Sequence, residues 1–215
     1  MRLCSYVVRV DAGLAPNPFW GYCTLAVCTP NHMGIRVQKG DWFMGTQPIS
    51  KGAKLIYAME VSKILSFDTY YHDPRFERKK PKIKGPWKEL RGDNMYYRDD
   101  QGKWQQHPTW NHPGEEQKMQ DLKHPYVFIS EHFYYFGENA IEIPVEYAAL
   151  IRKRQGCKCS HAPELVRGFL SWLVQTQTPG VHGDPIDQPV TESGNCSGTS
   201  QATQLNKRSE NKECA

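Results

Sequence analysis

The sequence has no apolar run of the roughly 18 residues that a membrane-spanning helix needs. Its first segment also lacks an export signal, because Arg9 and Asp11 interrupt the apolar residues there. It contains no Walker-type phosphate loop, no Gly-x-Ser-x-Gly elbow and no His-Glu-x-x-His motif. These absences exclude the common nucleotide hydrolases, serine hydrolases and zinc peptidases. We therefore expect a soluble, cytoplasmic protein with no membrane partner.

Cysteine is present but follows no disulfide framework. The seven cysteines are an odd number, and in a chain without an export signal free thiols are more common than disulfides. Cys157, Cys159 and His161 are metal-competent and close in sequence. Structural zinc sites usually have a second ligand pair, and the sequence shows none. It therefore predicts free thiols and no metal site, and it leaves any cofactor unknown.

Aromatic residues are absent from the last part of the chain. Residues 177–215 contain no Phe, Trp or Tyr and are rich in Gly, Pro, Ser, Thr, Asn and Gln. Such a segment cannot bury enough apolar surface to offset its ordering entropy. We predict one folded domain over residues 1–176 and a disordered polar tail over 177–215. The tail is acidic, so of the chain's net charge of +4 the body carries about +6.

Short apolar and β-branched runs predict most of the secondary structure. Strands are expected at 4–10, 22–28, from Trp42, and at 55–61, 126–130 and 132–136. A short helix or turn is expected over 62–71, with Ser66 as its N-cap, and a hairpin turn at 99–102. Amphipathic helices are expected at 145–154 and 163–174. Strands early and helices late predict an α+β fold.

The loop over residues 11–21 is the first candidate site. Two prolines restrict its backbone, Asp11 and Asn17 offer hydrogen bonds, and Phe19 and Trp20 offer a stacking surface. Fixed backbone beside paired aromatic rings is more than a simple turn requires. The alternative is an ordinary connecting loop in which Asn17 caps a turn.

A basic loop over residues 75–88 is the second candidate, with seven basic residues against one acid. Arg75 and Lys80 are expected to contact phosphates, and the interleaved Phe76 and Trp87 suit stacking. The alternative is a solvated surface run. The loop favours contact with DNA but indicates no sequence preference.

Residues 92–94 and 130–137 are the other two segments in which several functional side chains lie close together in the sequence. Adjacent strand residues point to opposite faces, so Glu131 and His132 are not expected to form a dyad. His132 suits acid–base chemistry and could pair with Asp11, Asp73 or Asp93. Trp42 and Tyr57 fit either a core or an aromatic cage, and the sequence leaves this open.

Eight short segments occur in an order that resembles the nucleotide modification associated domain family, second type. They are YVVRVD (6–11), APNP (15–18), GYCTL (21–25), GDW (40–42), YAM (57–59), YHDPRF (71–76), GDN (92–94) and HFYYFG (132–137). An acid is expected before the last segment in that family, and Glu131 stands where an aspartate is expected. The family lies beside DNA-modification genes in phage and bacterial genomes. The resemblance therefore implies a function in DNA modification.

Residues 37–76 have a weaker likeness to the EVE and PUA-like β-barrels, which bind modified bases or RNA in an aromatic-lined pocket. This likeness implies a mixed, mainly antiparallel, barrel-like sheet with peripheral and C-terminal helices. Fold does not settle function.

Three functional hypotheses follow. The first is recognition of a nucleotide or modified base by stacking and polar contacts. Its predicted ligand-binding residues are Asn17, Phe19, Trp20, Trp42, Tyr57, Asp73, Arg75, Lys80, Asn94, Tyr96 and Tyr135. The second is an acid–base enzyme acting on a nucleotide or DNA base, with Asp11, Asp93 and His132 as catalytic residues. The third is a protein-interaction domain that binds no small ligand. Its aromatic residues would belong mostly to the hydrophobic core.

Overall fold

The computed structural model describes residues 1–27, 35–154 and 156–187. In these ranges the strands are β1 (Leu3–Val7), β2 (Cys23–Leu25), β3 (Trp42–Thr46), β4 (Leu55–Glu60), β5 (Lys63–Ser66), β6 (Tyr96–Arg98), β7 (Trp104–Gln106), β8 (Tyr126–Ser130), β9 (Phe133–Tyr135) and β10 (Gly180–Val181). The α-helices are α1 (Phe67–His72), α2 (Trp87–Leu90), α3 (Glu115–Asp121) and α4 (Pro163–Thr176). No helix among the described residues is long and apolar enough to cross a bilayer.

The strands form three sheets. The largest has the order β1-β3-β4-β9-β10, the second has the order β2-β8-β5, and β6 and β7 form a hairpin. The pairs β1–β3 and β9–β10 are parallel, and the other strand pairs are antiparallel. The predicted α+β class is confirmed. Within the described ranges the sheets do not close into a barrel, so the barrel-like arrangement is not confirmed.

Alternation along the strands builds three apolar layers. The first lies between the five-stranded and three-stranded sheets and includes Tyr6, Phe43, Tyr57, Tyr135, Leu25 and Phe128. The second lies between the other face of the five-stranded sheet and α4, and includes Trp42, Met44, Tyr134, Phe169 and Leu173. The third joins the far face of the three-stranded sheet to α1 and the hairpin, and includes Val127, Ile129, Phe67, Tyr70 and Tyr96.

Most of the predicted elements form, and several segments differ from the prediction. Ser66 caps α1 as expected, since its hydroxyl accepts a hydrogen bond from the backbone N–H of Thr69 at 3.1 Å. The helix or turn predicted over 62–71 is wrong for its first part, because Lys63–Ser66 forms strand β5 and pairs with β8. The helix predicted over 145–154 is wrong: Val145–Leu150 forms 3₁₀ turns in which Leu150 alone is buried. A stretch without a continuous buried stripe gains little from extending a helix.

The basic stretch that begins at Arg75 is more ordered than the exposed loop expected from its charge. Pro74–Lys79 forms 3₁₀ turns, and the Asp73 carboxylate caps them by accepting from the Arg75 N–H at 3.0 Å. Phe76 and Lys79 are buried. The backbone bends at Phe76, which is not helical, and both side chains face the interior.

Cys4 and Cys159 form a disulfide, so the prediction of free thiols is wrong for these two residues. Sequence spacing did not reveal this pair because 155 positions separate them. Cys23 and Cys157 are free, and the other three cysteines lie outside the described residues.

Residues 177–187 lie against the sheet, where the sequence predicts a disordered tail. Strand β10 adds to the edge of β9, and the His182 N–H donates to the Tyr135 carbonyl at 2.7 Å. The Asp187 N–H donates to the Asp11 carbonyl at 2.8 Å. These contacts are made by backbone groups, which composition does not report. The rest of the predicted tail lies outside the described residues.

Ending the chain after Thr176 should lower the free energy of unfolding by about 2–4 kcal/mol, because several backbone hydrogen bonds to the body are lost. Urea unfolding of the shortened and full-length chains measures the change. A chain that ends after Asp187 is the matched control and should unfold like the full-length protein. Equal stability of all three chains would instead support the domain boundary at 176.

Candidate functional site

A buried lysine lies at the centre of the polar interior. Lys79 reaches inward from the 3₁₀ turns and is 1% exposed. Its Nζ lies 2.7 Å from Asn17 Oδ1 and 3.0 Å from the carbonyl oxygens of Asn17 and Tyr22. Thr24 Oγ1 is a fourth acceptor at 3.1 Å. The ammonium is therefore surrounded by oxygen, as a buried charge requires.

Asp93 completes this cluster through hydroxyl groups. The Thr24 hydroxyl donates to one carboxylate oxygen at 2.5 Å, and the Tyr70 hydroxyl donates to the other at 2.8 Å. Burial raises the pKa of Asp93, and the charge of Lys79 opposes that shift. Burial lowers the pKa of Lys79 to about 8, so the ammonium remains mainly protonated at neutral pH. Lys79, Thr24 and Asp93 thus form one continuous hydrogen-bonded chain.

Asn17 is buried, and its side chain and backbone form hydrogen bonds within the protein. Its side-chain amide donates to the Arg91 carbonyl at 2.8 Å, and its backbone pairs with Thr24 in both directions at 2.9 and 3.0 Å. Ala15-Pro16, just before it, is a cis peptide bond. Asn17 therefore anchors the 11–21 loop to β2 and, through Lys79, to the 3₁₀ turns of residues 74–79.

Asn94 also points inward but keeps one free acceptor. Its amide donates to the carbonyls of Tyr70 at 3.1 Å and Phe76 at 3.2 Å. Its Oδ1 is buried, and no donor contacts it among the described residues. The neighbouring Gly92 lies so close to the backbone of residues 79–81 that a Cβ would come within 2.4 Å of Pro81 N. Loop 91–94 is thus packed directly on the backbone that carries Lys79.

Aromatic rings and cations meet where the 11–21 loop reaches the surface. This group, called the Trp20 patch below, consists of Phe19, Trp20, Arg78, Trp87 and Lys88. Phe19 makes edge contacts with Trp20 at 5.6 Å and with Trp87 at 5.5 Å between ring centroids. Arg78 lies 5.4 Å from the Trp20 ring, and Lys88 lies 5.1 Å from the Trp87 ring. Trp20 and Trp87 are half-buried, and both cations are exposed.

Asp11 is buried at the start of the same loop. The Tyr135 hydroxyl contacts both carboxylate oxygens, at 2.7 and 2.8 Å. The Asp11 N–H donates to the Asp187 carboxylate at 2.8 Å. Burial raises the pKa of the Asp11 carboxyl, and the hydrogen bond from Tyr135 opposes that rise. This carboxyl has the environment of an acid or base that exchanges a proton above the usual aspartate range.

His132 lies on the opposite face of the five-stranded sheet. Its Nδ1 is 3.1 Å from Glu60 Oε2, and its Nε2 is 3.2 Å from the Tyr134 hydroxyl. The ring also contacts the edge of Trp42 at 5.4 Å. Tyr134 and Tyr135 alternate across the sheet, so His132 is not brought together with Asp11. Glu131 is exposed, and no dyad with His132 forms.

The other predicted ligand-binding residues divide into core and surface groups. Tyr57 is fully buried and its hydroxyl contacts that of Tyr6, while the Tyr96 hydroxyl donates to Asp121 at 3.0 Å. At the surface, Arg75 pairs with Asp73. Lys80 pairs with Glu77 at 2.6 Å and covers the ring of Tyr71 at 4.1 Å.

Sequence reasoning missed Lys79, Thr24 and Tyr70. Lys79 stands in a basic run and looked like its solvated neighbours. No local pattern marked Lys79 as buried, because its inward direction depends on oxygen atoms that the 11–21 loop and β2 bring to it.

This geometry defines an α+β domain with a charged, hydrogen-bonded interior and a basic, aromatic surface loop. The chain belongs to the nucleotide modification associated domain 2 family, whose match spans residues 1–192. The resemblance found in the sequence is therefore confirmed. The matched range includes residues 177–187, which pack on the sheet. No curated protein and no solved structure matches the chain significantly.

Replacing Lys79 with methionine should destabilise the fold by about 3–5 kcal/mol, because Asp93 and the surrounding oxygens would lose a buried cation. Urea unfolding measures the loss. Lys80→Met is the matched control, since Lys80 pairs with the exposed Glu77, and it should cost about 1 kcal/mol or less. Equal losses in the two variants would contradict a central role for the buried ammonium.

Proposed function

We propose that this domain recognises a nucleotide or modified base within a DNA-modification system and stacks the base on the Trp20 patch. Two findings support the proposal. The chain belongs to a family named for its association with nucleotide modification. The Trp20 patch combines exposed cations with accessible aromatic rings, the combination used by proteins that bind bases and phosphates together.

The other aromatic rings predicted to stack on a base are mostly buried, which leaves Trp20 as the candidate. This observation carries the proposal. Trp42, Tyr57, Tyr96 and Tyr135 are 4% exposed or less, so their ring faces are occupied by the core. Trp20 is half-buried, with a backbone φ of +58°. The loop beneath it is anchored through Asn17 and Lys79. A ring held on a fixed loop loses little conformational entropy when a base stacks on it.

The cations of the patch differ in their availability. Lys88 pairs with the Asp184 carboxylate at 3.2 Å. Arg78 has no carboxylate within salt-bridge distance in the part of the chain that the structure describes. Arg75 and Lys80, the cations first predicted to bind phosphate, are each paired with a neighbouring acid. Arg78 is therefore our first choice for a phosphate contact.

Trp20→Ala should weaken binding by roughly 5- to 150-fold, because stacking on an aromatic side chain contributes about 1–3 kcal/mol per base. Tryptophan fluorescence titrations with normal and modified nucleotides, and with short DNA strands, give the dissociation constants. Trp110→Ala is the control, since Trp110 is 69% exposed and lies outside the patch.

Binding that is unchanged in Trp20→Ala would rule out the patch as the stacking site. A DNA strand whose affinity falls steeply with salt, beside free nucleotides that bind weakly, would identify the polymer as the target. Identification of a co-purified ligand by mass spectrometry would name the base directly.

A second candidate function is an acid–base enzyme acting on a nucleotide or DNA base. The observation that favours it is the buried Asp11 carboxyl, whose pKa is raised by burial and which is held by the Tyr135 hydroxyl. Its backbone lies in the loop that also carries Trp20. A carboxyl whose pKa is raised suits an acid or base that transfers a proton above the usual aspartate range.

If the domain is such an enzyme, Asp11→Asn should reduce turnover by roughly 10²- to 10⁴-fold while the ligand's dissociation constant stays within about twofold. Turnover of modified nucleotides, followed by mass spectrometry, measures the effect. His132→Gln serves as the comparison, because His132 lies across the sheet and should leave turnover intact. Equal loss in both variants, or no turnover by the unmodified protein, would contradict this function.

A further inference from the structure

Two distant parts of the chain bring three sulfur atoms together. The Ser5 N–H donates to the Lys158 carbonyl at 2.9 Å, and the Lys158 N–H donates to the Ser5 carbonyl at 2.9 Å. Ser5 and Lys158 are therefore opposite residues of a short antiparallel bridge. Side chains alternate along paired strands, so the residues on either side of this pair share one face. Cys4, Cys157 and Cys159 lie on that face.

The distances between the sulfur atoms suit one metal ion. The Sγ atoms of Cys4, Cys157 and Cys159 all lie within 4.8 Å of one another. The Sγ atoms of Cys157 and Cys159 are 3.8 Å apart. Zinc binds thiolate at about 2.3 Å with tetrahedral geometry, which places two ligand sulfurs about 3.8 Å apart. The Cys-x-Cys pair thus already has the spacing of two ligands on one ion.

We propose that, when the Cys4–Cys159 disulfide is reduced, Cys4, Cys157 and Cys159 together bind one zinc ion. The sequence argued against such a site because the Cys-x-Cys-x-His segment had no visible partner. Strand β1 supplies that partner from the other end of the domain. The ion would hold residues 157–159 on β1, as the disulfide does in the oxidised protein.

Water is the ligand expected at the fourth coordination position. His161 follows the two cysteines in sequence, but its Nε2 lies 3.0 Å from Ser5 Oγ and 3.1 Å from the Lys158 carbonyl oxygen. Side chains alternate along β1, so the Ser5 hydroxyl lies on the opposite face of the strand from the Cys4 sulfur. His161 is therefore held away from the sulfur cluster.

Proton release accompanies the second of two steps, the binding of zinc. A phosphine, with water as the source of oxygen, breaks the Cys4–Cys159 bond and yields two thiols and phosphine oxide. Coordination of three thiols to zinc then releases three protons to solvent. Zinc binds cysteine as the thiolate, so each thiol gives up its proton on binding. Zinc affinity should accordingly fall as the pH falls.

The test uses the full chain, reduced with a phosphine, loaded with zinc and dialysed against metal-free buffer. Metal content should be one zinc per unmodified chain and close to none for Cys157→Ser. Cys23→Ala is the matched control, because Cys23 is a free cysteine outside the sulfur cluster, and it should retain one zinc. Cobalt in place of zinc should produce sulfur-to-cobalt charge-transfer absorption of a site with three thiolates. His161→Gln should retain one zinc, because His161 contacts Ser5 on the other face of β1.

Cys157 is the informative position because it is not part of the disulfide. The oxidised Cys157→Ser protein should melt at the same temperature as the oxidised unmodified protein. In the reduced state, saturating zinc should raise the melting temperature of the unmodified protein by about 5–10 °C and leave that of the variant unchanged.

Two results would overturn the proposal. One is a reduced, folded, unmodified chain that retains no zinc and shows no thiolate-to-cobalt absorption. The other is a Cys157→Ser chain that retains as much zinc as the unmodified protein. The cobalt spectrum of the unmodified chain decides the question even where the reduced variant does not fold.

Discussion

The ammonium of Lys79 imposes the strictest requirement in this structure. A charged group that is fully buried is tolerated when oxygen atoms surround it, and here the oxygens come from separate parts of the chain. Asn17 belongs to the 11–21 loop, Thr24 lies in β2, and Asp93 is linked through the Thr24 hydroxyl. Each of these segments has to reach the same point. The charge therefore determines how the loops pack on the three-stranded sheet.

This requirement connects the interior to the surface. Asn17 faces inward and binds Lys79, and Phe19 and Trp20 follow it on the same loop. On the 3₁₀ turns of residues 74–79, Lys79 faces inward and the neighbouring Arg78 faces out to the Trp20 ring. The buried charge of Lys79 thus positions Trp20, on the 11–21 loop, and Arg78, on the 3₁₀ turns. A patch fixed in this way is preorganised, because the cost of ordering it is met during folding.

The five-stranded sheet separates two polar groups that the sequence could not tell apart. Tyr135 faces Asp11 on one side, while Tyr134 faces His132 and Trp42 on the other. Residues 177–187 cover the Asp11 side through the hydrogen bonds of Asp187. At the edge of the same sheet, the bridge between Ser5 and Lys158 joins β1 to the cysteine-containing segment. The sheet therefore keeps the Asp11–Tyr135 pair on one face and the His132–Tyr134 pair on the other.

Local patterns were sufficient for the α+β class, for most strands, for the Ser66 cap and for α4, because propensity and periodicity depend on neighbouring residues. They also identified the family. Tertiary structure decided the rest. It turned Lys79 inward while Lys80 stayed near the surface, placed Trp42 and Tyr135 in the core, and brought Cys4 to Cys159. Burial and long-range pairing depend on residues far apart in the chain, and the physical reason is that desolvation is set by the whole fold.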